Sequence, residues 1–214
     1  MNPKLNINIL SRLVHANLIA QLPYAENILD VGAGDGSFVK AYPYLGCKIT
    51  FFDKAGSDDD GFKYCVEHYT SSGYSHIEGD CTDMNTIKDE TYDMVIFTEV
   101  IEHLTEEQVK KTLSEIKRVL KPNGRIALST PNIVIRKEVG KYLANPFHIK
   151  EYTNDEIKEL LLSYGFKIVK NVGTLEFKEN TLNTTVNKVP EEGYLLWFEA
   201  IKMEKDGKWK DLLF

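Results

Sequence analysis

The sequence is short of cysteine: Cys47, Cys65 and Cys81 are the only three in 214 residues. They show no C-x-x-C spacing and cannot all pair, so they read as reduced thiols of a cytoplasmic protein. Long apolar runs are missing too, and none approaches the length of a membrane span. The N-terminal stretch carries Arg12 and His15 inside its apolar pattern, which does not suit the uninterrupted core of a secretory signal. Positive charge is in deficit: 26 Lys and Arg against 32 Asp and Glu give a formal net charge of -6. That balance argues against a protein held to its partner mainly by neutralising phosphates. No internal repeat is visible, and the one biased tract is the acidic run Asp58 to Asp60.

What is present fits a single domain over residues 1–214, with 43% hydrophobic and 27% charged residues, ordinary values for a globular chain of one core. Leu5, Ile9, Leu10, Leu13, Val14 and Leu18 follow helical spacing and predict an amphipathic N-terminal helix. NILDVG and KITFFD read as the first two strands, with a short helix in SFVKAYPYL between them. A helix around FKYCVEHY and a short strand near HIEG follow. YDMVIFT is apolar on both faces, as the middle of a covered parallel sheet requires. Thr105 with Gln108 and Thr153 with Glu156 form capping boxes that open two further helices, and RIALST is the strand between them. FKIVKNV and GYLLWFEAIKM are the last strands, joined by a polar stretch. The alternation predicts an α/β fold: a doubly wound, mostly parallel sheet of seven strands with a C-terminal β-hairpin.

The first strand runs into LDVGAGDGSF, with Gly32, Gly34 and Gly36 in G-x-G-x-G spacing. Glycines at a strand-to-helix turn let backbone approach a ligand. The spacing is tighter than the dinucleotide fingerprint, which disfavours a nicotinamide-dependent dehydrogenase. Asp30 stands just before the first glycine, where a carboxylate suits a cationic ligand better than a phosphate. Asp53 closes the second strand, placed to take both hydroxyls of a ribose. Asp80, in GDCTD after the third strand, is placed to accept from the exocyclic amine of adenine. A ligand with a cationic centre, a ribose and an adenine but no phosphate is S-adenosyl-L-methionine.

From Asn27 to Val169, the runs ILDVGAGDG, GDCTD, YDMVIFTEVIEHL, LKPNGRIALSTPN and HIKEYTNDEIKELLLSYGF, together with Asp53, resemble the class I S-adenosylmethionine-dependent methyltransferases of Rossmann-like fold. The resemblance implies that Asp30, Gly32 and Gly34 line the methionine moiety and Asp53 holds the ribose. It also places Asp80 and Cys81 beside the adenine, with Thr98 completing the cofactor set.

TEVIEHL follows the best strand, at the end of the sheet where such folds carry their site. If Glu99 opens a helical turn, Glu102 and His103 share its face. His148, in NPFHIKEY, is the fourth candidate. The E-x-x-E-H pattern with a later histidine is similar to two O-methyltransferase groups, one acting on ubiquinone precursors and one on the terminal 2′-hydroxyl of small RNAs. In both, the corresponding residues hold a divalent metal, which implies Mg²⁺ or Mn²⁺ on Glu99, Glu102, His103 and His148 here, with the same residues at the catalytic centre. The competing role is contact with the acceptor without metal. The segment Asn132 to Lys150 predicts a lid. Its Arg136, Lys137, Lys141 and Lys150 read either as a rim for an anionic acceptor or as a solvated face, and Tyr142, Phe147 and Tyr152 as an aromatic wall or as core. The expected activity is O-methylation of a small-molecule acceptor. The alternatives are an RNA 2′-O-methyltransferase of the small-RNA 3′-end type and a non-catalytic S-adenosylmethionine-binding protein.

Overall fold

β-branched and aromatic runs alternate with capped amphipathic segments, and the most continuous apolar runs, YDMVIFT and GYLLWFEAIK, lie inside the sheet. The computed structural model describes residues 7–36, 39, 42, 46–54, 66–67, 74–139, 145–178, 181–187 and 189–204. The strands are β1 (Asn27–Val31), β2 (Lys48–Asp53), β3 (Ser75–Glu78), β4 (Tyr92–Thr98), β5 (Leu120–Pro131), β6 (Phe166–Lys178), β7 (Thr181–Asn187) and β8 (Gly193–Lys202). The α-helices are α1 (Ile7–Ile19), α2 (Glu106–Val119), α3 (Ile133–Val139) and α4 (Asn154–Ser163). The expected helices in SFVKAYPYL and around FKYCVEHY lie almost wholly outside the described residues.

The strands form one sheet in the order β3-β2-β1-β4-β5-β8-β6-β7. Pairing is parallel from β3 through β5 and antiparallel where β8 joins β5 and β6 joins both β8 and β7. The doubly wound, mostly parallel sheet is therefore present, with eight strands among the described residues where the sequence suggests seven. The extra one is β7, in the polar stretch TLNTTVN, a strand at the sheet edge where no apolar signal is required. β5 is also longer than RIALST. It begins at the helix cap Leu120 and runs through KPNG with Asn123 at φ +61°.

Successive residues of the central strands enter opposite layers, as the pleat dictates. Leu29, Val31, Val95 and Phe97 pack with Val109, Leu113 and Ile116 of α2 and Ile157 and Leu161 of α4. Ile28, Met94 and Ile96 pack with Val14, Leu18 and Ile19 of α1 and with Trp197 of β8. Leu13, expected on the buried stripe of α1, is 58% exposed. Both capping boxes are formed: Thr105 and Thr153 accept from the backbone of Gln108 and Glu156, whose side chains accept from the cap backbone in return. Among the described residues, no helix is long and apolar enough to cross a membrane. Cys47 and Cys81 are both half-buried.

Candidate active site

Strand order reverses between β1 and β4, and the loops leaving these two neighbours bound the crevice where open α/β sheets take ligands. Gly32, Gly34 and Gly36 all adopt positive φ, at +73°, +51° and +67°. Gly32 is required twice over, because a Cβ there would sit 2.4 Å from Val100 Cγ2. The two loops thus touch at Gly32 and Val100.

The four expected cofactor carboxylate and thiol positions fall on the ends of β1, β2 and β3. Asp30 is buried at 3% exposure. Loss of solvation, reinforced by Asp53 and Asp35, pushes its pKa up to about 7. A buried carboxylate in that condition gains most from a cation. Asp53 Oδ2 accepts from the Gly34 N–H at 2.8 Å, so the ribose candidate and the glycine turn are fastened together. Asp80 accepts from the backbone N–H and hydroxyl of Thr82, which hold its pKa below the usual carboxylate value. Cys81 is half-buried, receives a hydrogen bond from Thr112 at 3.4 Å, and has its thiol pKa raised by burial. Thr98 is buried at the end of β4. Arg12 of α1 pairs with Asp35 at 2.9 Å and ties that helix to the glycine turn.

TEVIEHL divides in two. Only Ile101–His103 form a turn of 3-10 helix. Glu99 stands outside it in the left-handed region, at φ +57°, so Glu99 does not share a helical face with Glu102 and His103. Its Oε1 accepts from the Ser129 hydroxyl at 2.7 Å and lies 3.5 Å from His15 Nε2. Glu102, His103 and His148 do come together, with one ligand-type atom from each within 4.8 Å of the others. Glu102 is 1% exposed. Burial first, then the charge of Glu99, pushes its pKa well up, although Thr130 donates to Oε2 at 3.0 Å. Its backbone carbonyl accepts from Ile149 and Lys150, which draws the His148 loop over the turn.

The two rings meet edge to face with centroids 4.9 Å apart. His103 Nδ1 lies 3.1 Å from the Phe147 carbonyl. A carbonyl only accepts, so Nδ1 carries the proton and Nε2 keeps a lone pair. Desolvation lowers the pKa of this ring and favours that neutral form. His148 Nδ1 lies 2.8 Å from Glu151 Oε1 and 2.7 Å from Arg136 Nη1. One ring nitrogen can serve only one of them. A proton on Nδ1 goes to the carboxylate and leaves Nε2 open, whereas a lone pair there takes the second N–H of Arg136 Nη1, whose first is paired with Glu151. Histidines that bind metals are commonly held this way, through the far nitrogen to a carboxylate or a carbonyl. Mixed oxygen and imidazole donors around a buried carboxylate fit a divalent cation.

The basic rim is largely spent. Arg136 is committed to Glu151, and Lys150 pairs with Glu106 at 3.0 Å and Glu156 at 3.6 Å. Lys137 remains exposed, and Lys141 and Tyr142 lie outside the described residues. Tyr152 is core, whereas Phe147 is 77% exposed beside His148. Trp197 and Phe198 are fully buried packing, as their strand position suggests. His15, Ser129, Thr130 and Glu151 belong to the site but carry no local motif. The one available signal is a histidine on the apolar side of a helix.

Residues 5–171 match the model of a family described as a methyltransferase domain. A Bradyrhizobium ubiquinone biosynthesis O-methyltransferase is 29% identical over 160 residues, covering 69% of this chain and 61% of that one. The Rickettsia bellii protein of the same name is 29% identical, covering 92% of this chain and 78% of that one. The chain spans only about a third of the length of the mycobacterial relatives it matches, 33% of a probable Mycolicibacterium smegmatis methyltransferase and 31% of a probable Mycobacterium tuberculosis one. Among solved structures, a Thermotoga maritima SAM-dependent methyltransferase superposes with a TM-score of 0.71 at 19% identity, over 92% of this chain and 91% of that one. The chain belongs to the methyltransferase domain family, within the class I S-adenosylmethionine-dependent methyltransferases that its sequence resembles.

Proposed function

We propose that this chain transfers the methyl group of S-adenosylmethionine to a hydroxyl oxygen of a small molecule. The observation that carries the reading is the convergence of Glu102, His103 and His148 beyond β4, across the switch point from the glycine turn. Methyl transfer from a sulfonium is an in-line displacement: the oxygen–methyl bond forms as the sulfur–methyl bond breaks, and the cofactor loses its positive charge. The protein must therefore align the acceptor, exclude water and manage the acceptor's proton.

On this reading Asp30 attracts the cofactor cation, Asp53 the ribose, and Asp80 and Cys81 the adenine, with Gly32, Gly34 and Thr98 shaping the cradle. Glu102, His103 and His148 would hold a divalent cation such as Mg²⁺ or Mn²⁺, whose chemistry when bound is to lower the pKa of a coordinated hydroxyl. Phe147 and Ile149 flank His148 with exposed apolar side chains, a surface that an apolar acceptor would cover. The quenched rim and the net charge of -6 favour such an acceptor over an RNA end. Two relatives named for ubiquinone biosynthesis O-methylation point the same way.

The test incubates the protein with methyl-labelled S-adenosylmethionine and a panel of phenols and catechols, with an RNA 3′ end as comparison. The expected product is an O-methyl ether on a small aromatic. EDTA should remove the activity and Mg²⁺ or Mn²⁺ restore it, and Glu102→Gln should lower kcat by about a hundredfold or more. Cofactor binding without transfer to any hydroxyl would overturn the reading; activity indifferent to EDTA would remove the metal from it.

A further inference from the structure

Behind the site, polar groups from three elements meet where packing alone calls for none. His15 of α1 is 1% exposed, on a helix face whose other buried members are Val14, Leu18 and Ile19. Its ring stands edge-on to Trp197, with centroids 6.1 Å apart. An apolar side chain would fill such a position at no desolvation cost, whereas an imidazole must find partners there. His15 has them on both nitrogens. Nδ1 lies 2.8 Å from the Ser11 carbonyl and 3.2 Å from the Ser11 hydroxyl, both in the preceding turn of α1. Nε2 lies 2.7 Å from Ser129 Oγ, and because the one hydroxyl proton goes to Glu99, Nε2–H is the donor to Oγ.

Ser129 in turn holds Glu99 twice. Its hydroxyl donates to Oε1 at 2.7 Å, and its carbonyl accepts the Glu99 N–H at 3.1 Å. Thr130, the next residue of β5, donates to Glu102. Adjacent residues of one strand thus grip the two carboxylates of TEVIEHL, and His15 buttresses the grip on the first. Glu99 needs it: its left-handed conformation is one a non-glycine residue keeps only where the surroundings impose it. With Oε1 held, Oε2 is the oxygen left for chemistry.

We infer that His15 is a positioning residue for methyl transfer, fixing the Glu99 carboxylate through Ser129. The inference rests on the methyl-transfer reading above and adds α1 to the working parts of the site. A merely structural histidine would affect stability and leave turnover alone.

The experiment compares wild type, His15→Leu, His15→Gln, Ser129→Ala, Glu99→Gln and the double variant His15→Leu with Glu99→Gln. The readouts are S-adenosylmethionine affinity, kcat and melting temperature. His15→Leu should keep cofactor affinity within about twofold and lose about 10- to 100-fold in kcat, the scale of a carboxylate displaced by about an ångström. His15→Gln, whose amide can reach Ser129 from the same side, should recover most of that loss. The double variant should be no slower than Glu99→Gln alone, because the two residues act through one contact. His15→Leu with unchanged kcat, or losses that multiply in the double variant, overturns the inference while leaving the activity intact. Wild type that binds cofactor but methylates nothing overturns the activity, and this role with it. Should His15→Leu fail to fold, Ser129→Ala cuts the same link from the strand side, and full kcat in that variant is equally fatal.

Discussion

Asp30 shows how one residue can be legible in sequence and still hold back its chemistry. Its place before the first glycine of LDVGAGDGSF marks it as a ligand for positive charge, but the sequence does not say how dry the position is. Burial and the neighbouring Asp53 and Asp35 lift its pKa from 3.8 to about 7. In the free protein the folded state therefore holds a proton on Asp30 that the unfolded chain releases near pH 4. Stability from this group is fully present below that pH and drains away as pH rises through about 7. A bound sulfonium or ammonium favours the carboxylate instead. S-adenosylmethionine binding should release close to one proton per site at pH 5–6, and its affinity should climb with pH and level off above about 7. Calorimetry in buffers of different ionisation enthalpy measures both. Asp30→Asn should abolish the proton release and weaken cofactor binding. It should also stabilise the free protein above pH 7, by no more than about 4 kcal/mol, the free energy separating an ordinary aspartate from one titrating near 7. Proton release unchanged in the variant would show that Asp30 is not the group meeting the cation.

At the scale of elements, the sheet and the capped helices are written in local signals, whereas the site's connections are not. Thr105 and Gln108 begin α2 two residues after His103, so the cap both starts the helix and ends the TEVIEHL turn. Thr105→Ala removes the hydroxyl that accepts the Gln108 N–H. It should cost about 1 kcal/mol in urea unfolding, with cofactor affinity unchanged, since no cofactor position leans on that hydroxyl. An unaltered unfolding midpoint would mean that water replaces the cap. β1 and β4 were legible because burial on both faces leaves a continuous apolar run. β7 was not, because an edge strand needs no such run. Glu99 was misplaced on the helical face for a related reason. Its left-handed backbone answers to Ser129, 30 residues away in sequence, and no local pattern encodes that. Arg136 and Lys150 were visible as charges, but their partners Glu151, Glu106 and Glu156 become neighbours only once the loop folds over the turn at Glu102. His15 was visible as an interruption of an apolar pattern, and only the packing of α1 against β5 gives the interruption a purpose.

The whole molecule brings these parts to one crevice, where the β1 and β4 loops touch through Gly32 and Val100. Asp53 is hydrogen-bonded to the glycine turn at Gly34, and its charge disfavours the ionised form of Asp30, so a cation entering the crevice relieves a repulsion found in the folded state alone. The unfolded chain offers no such arrangement of carboxylates, and a ligand that binds only the folded form stabilises it by mass action. At a hundred times its Kd this amounts to about 2.7 kcal/mol. For a chain of this size each kcal/mol moves the melting temperature by about 2–4 °C. Saturating S-adenosylmethionine should therefore raise it by about 5–10 °C. The demethylated product should still shift it through the ribose and adenine contacts, and by a margin that depends less on pH, because it lacks the sulfonium that draws on Asp30. A nicotinamide dinucleotide, whose pyrophosphate would face Asp30 and Asp53, should not shift it at all. A melting curve that moves with the dinucleotide and ignores the sulfonium compound would invert the electrostatic logic of the site, and the methyl-transfer reading would fall with it.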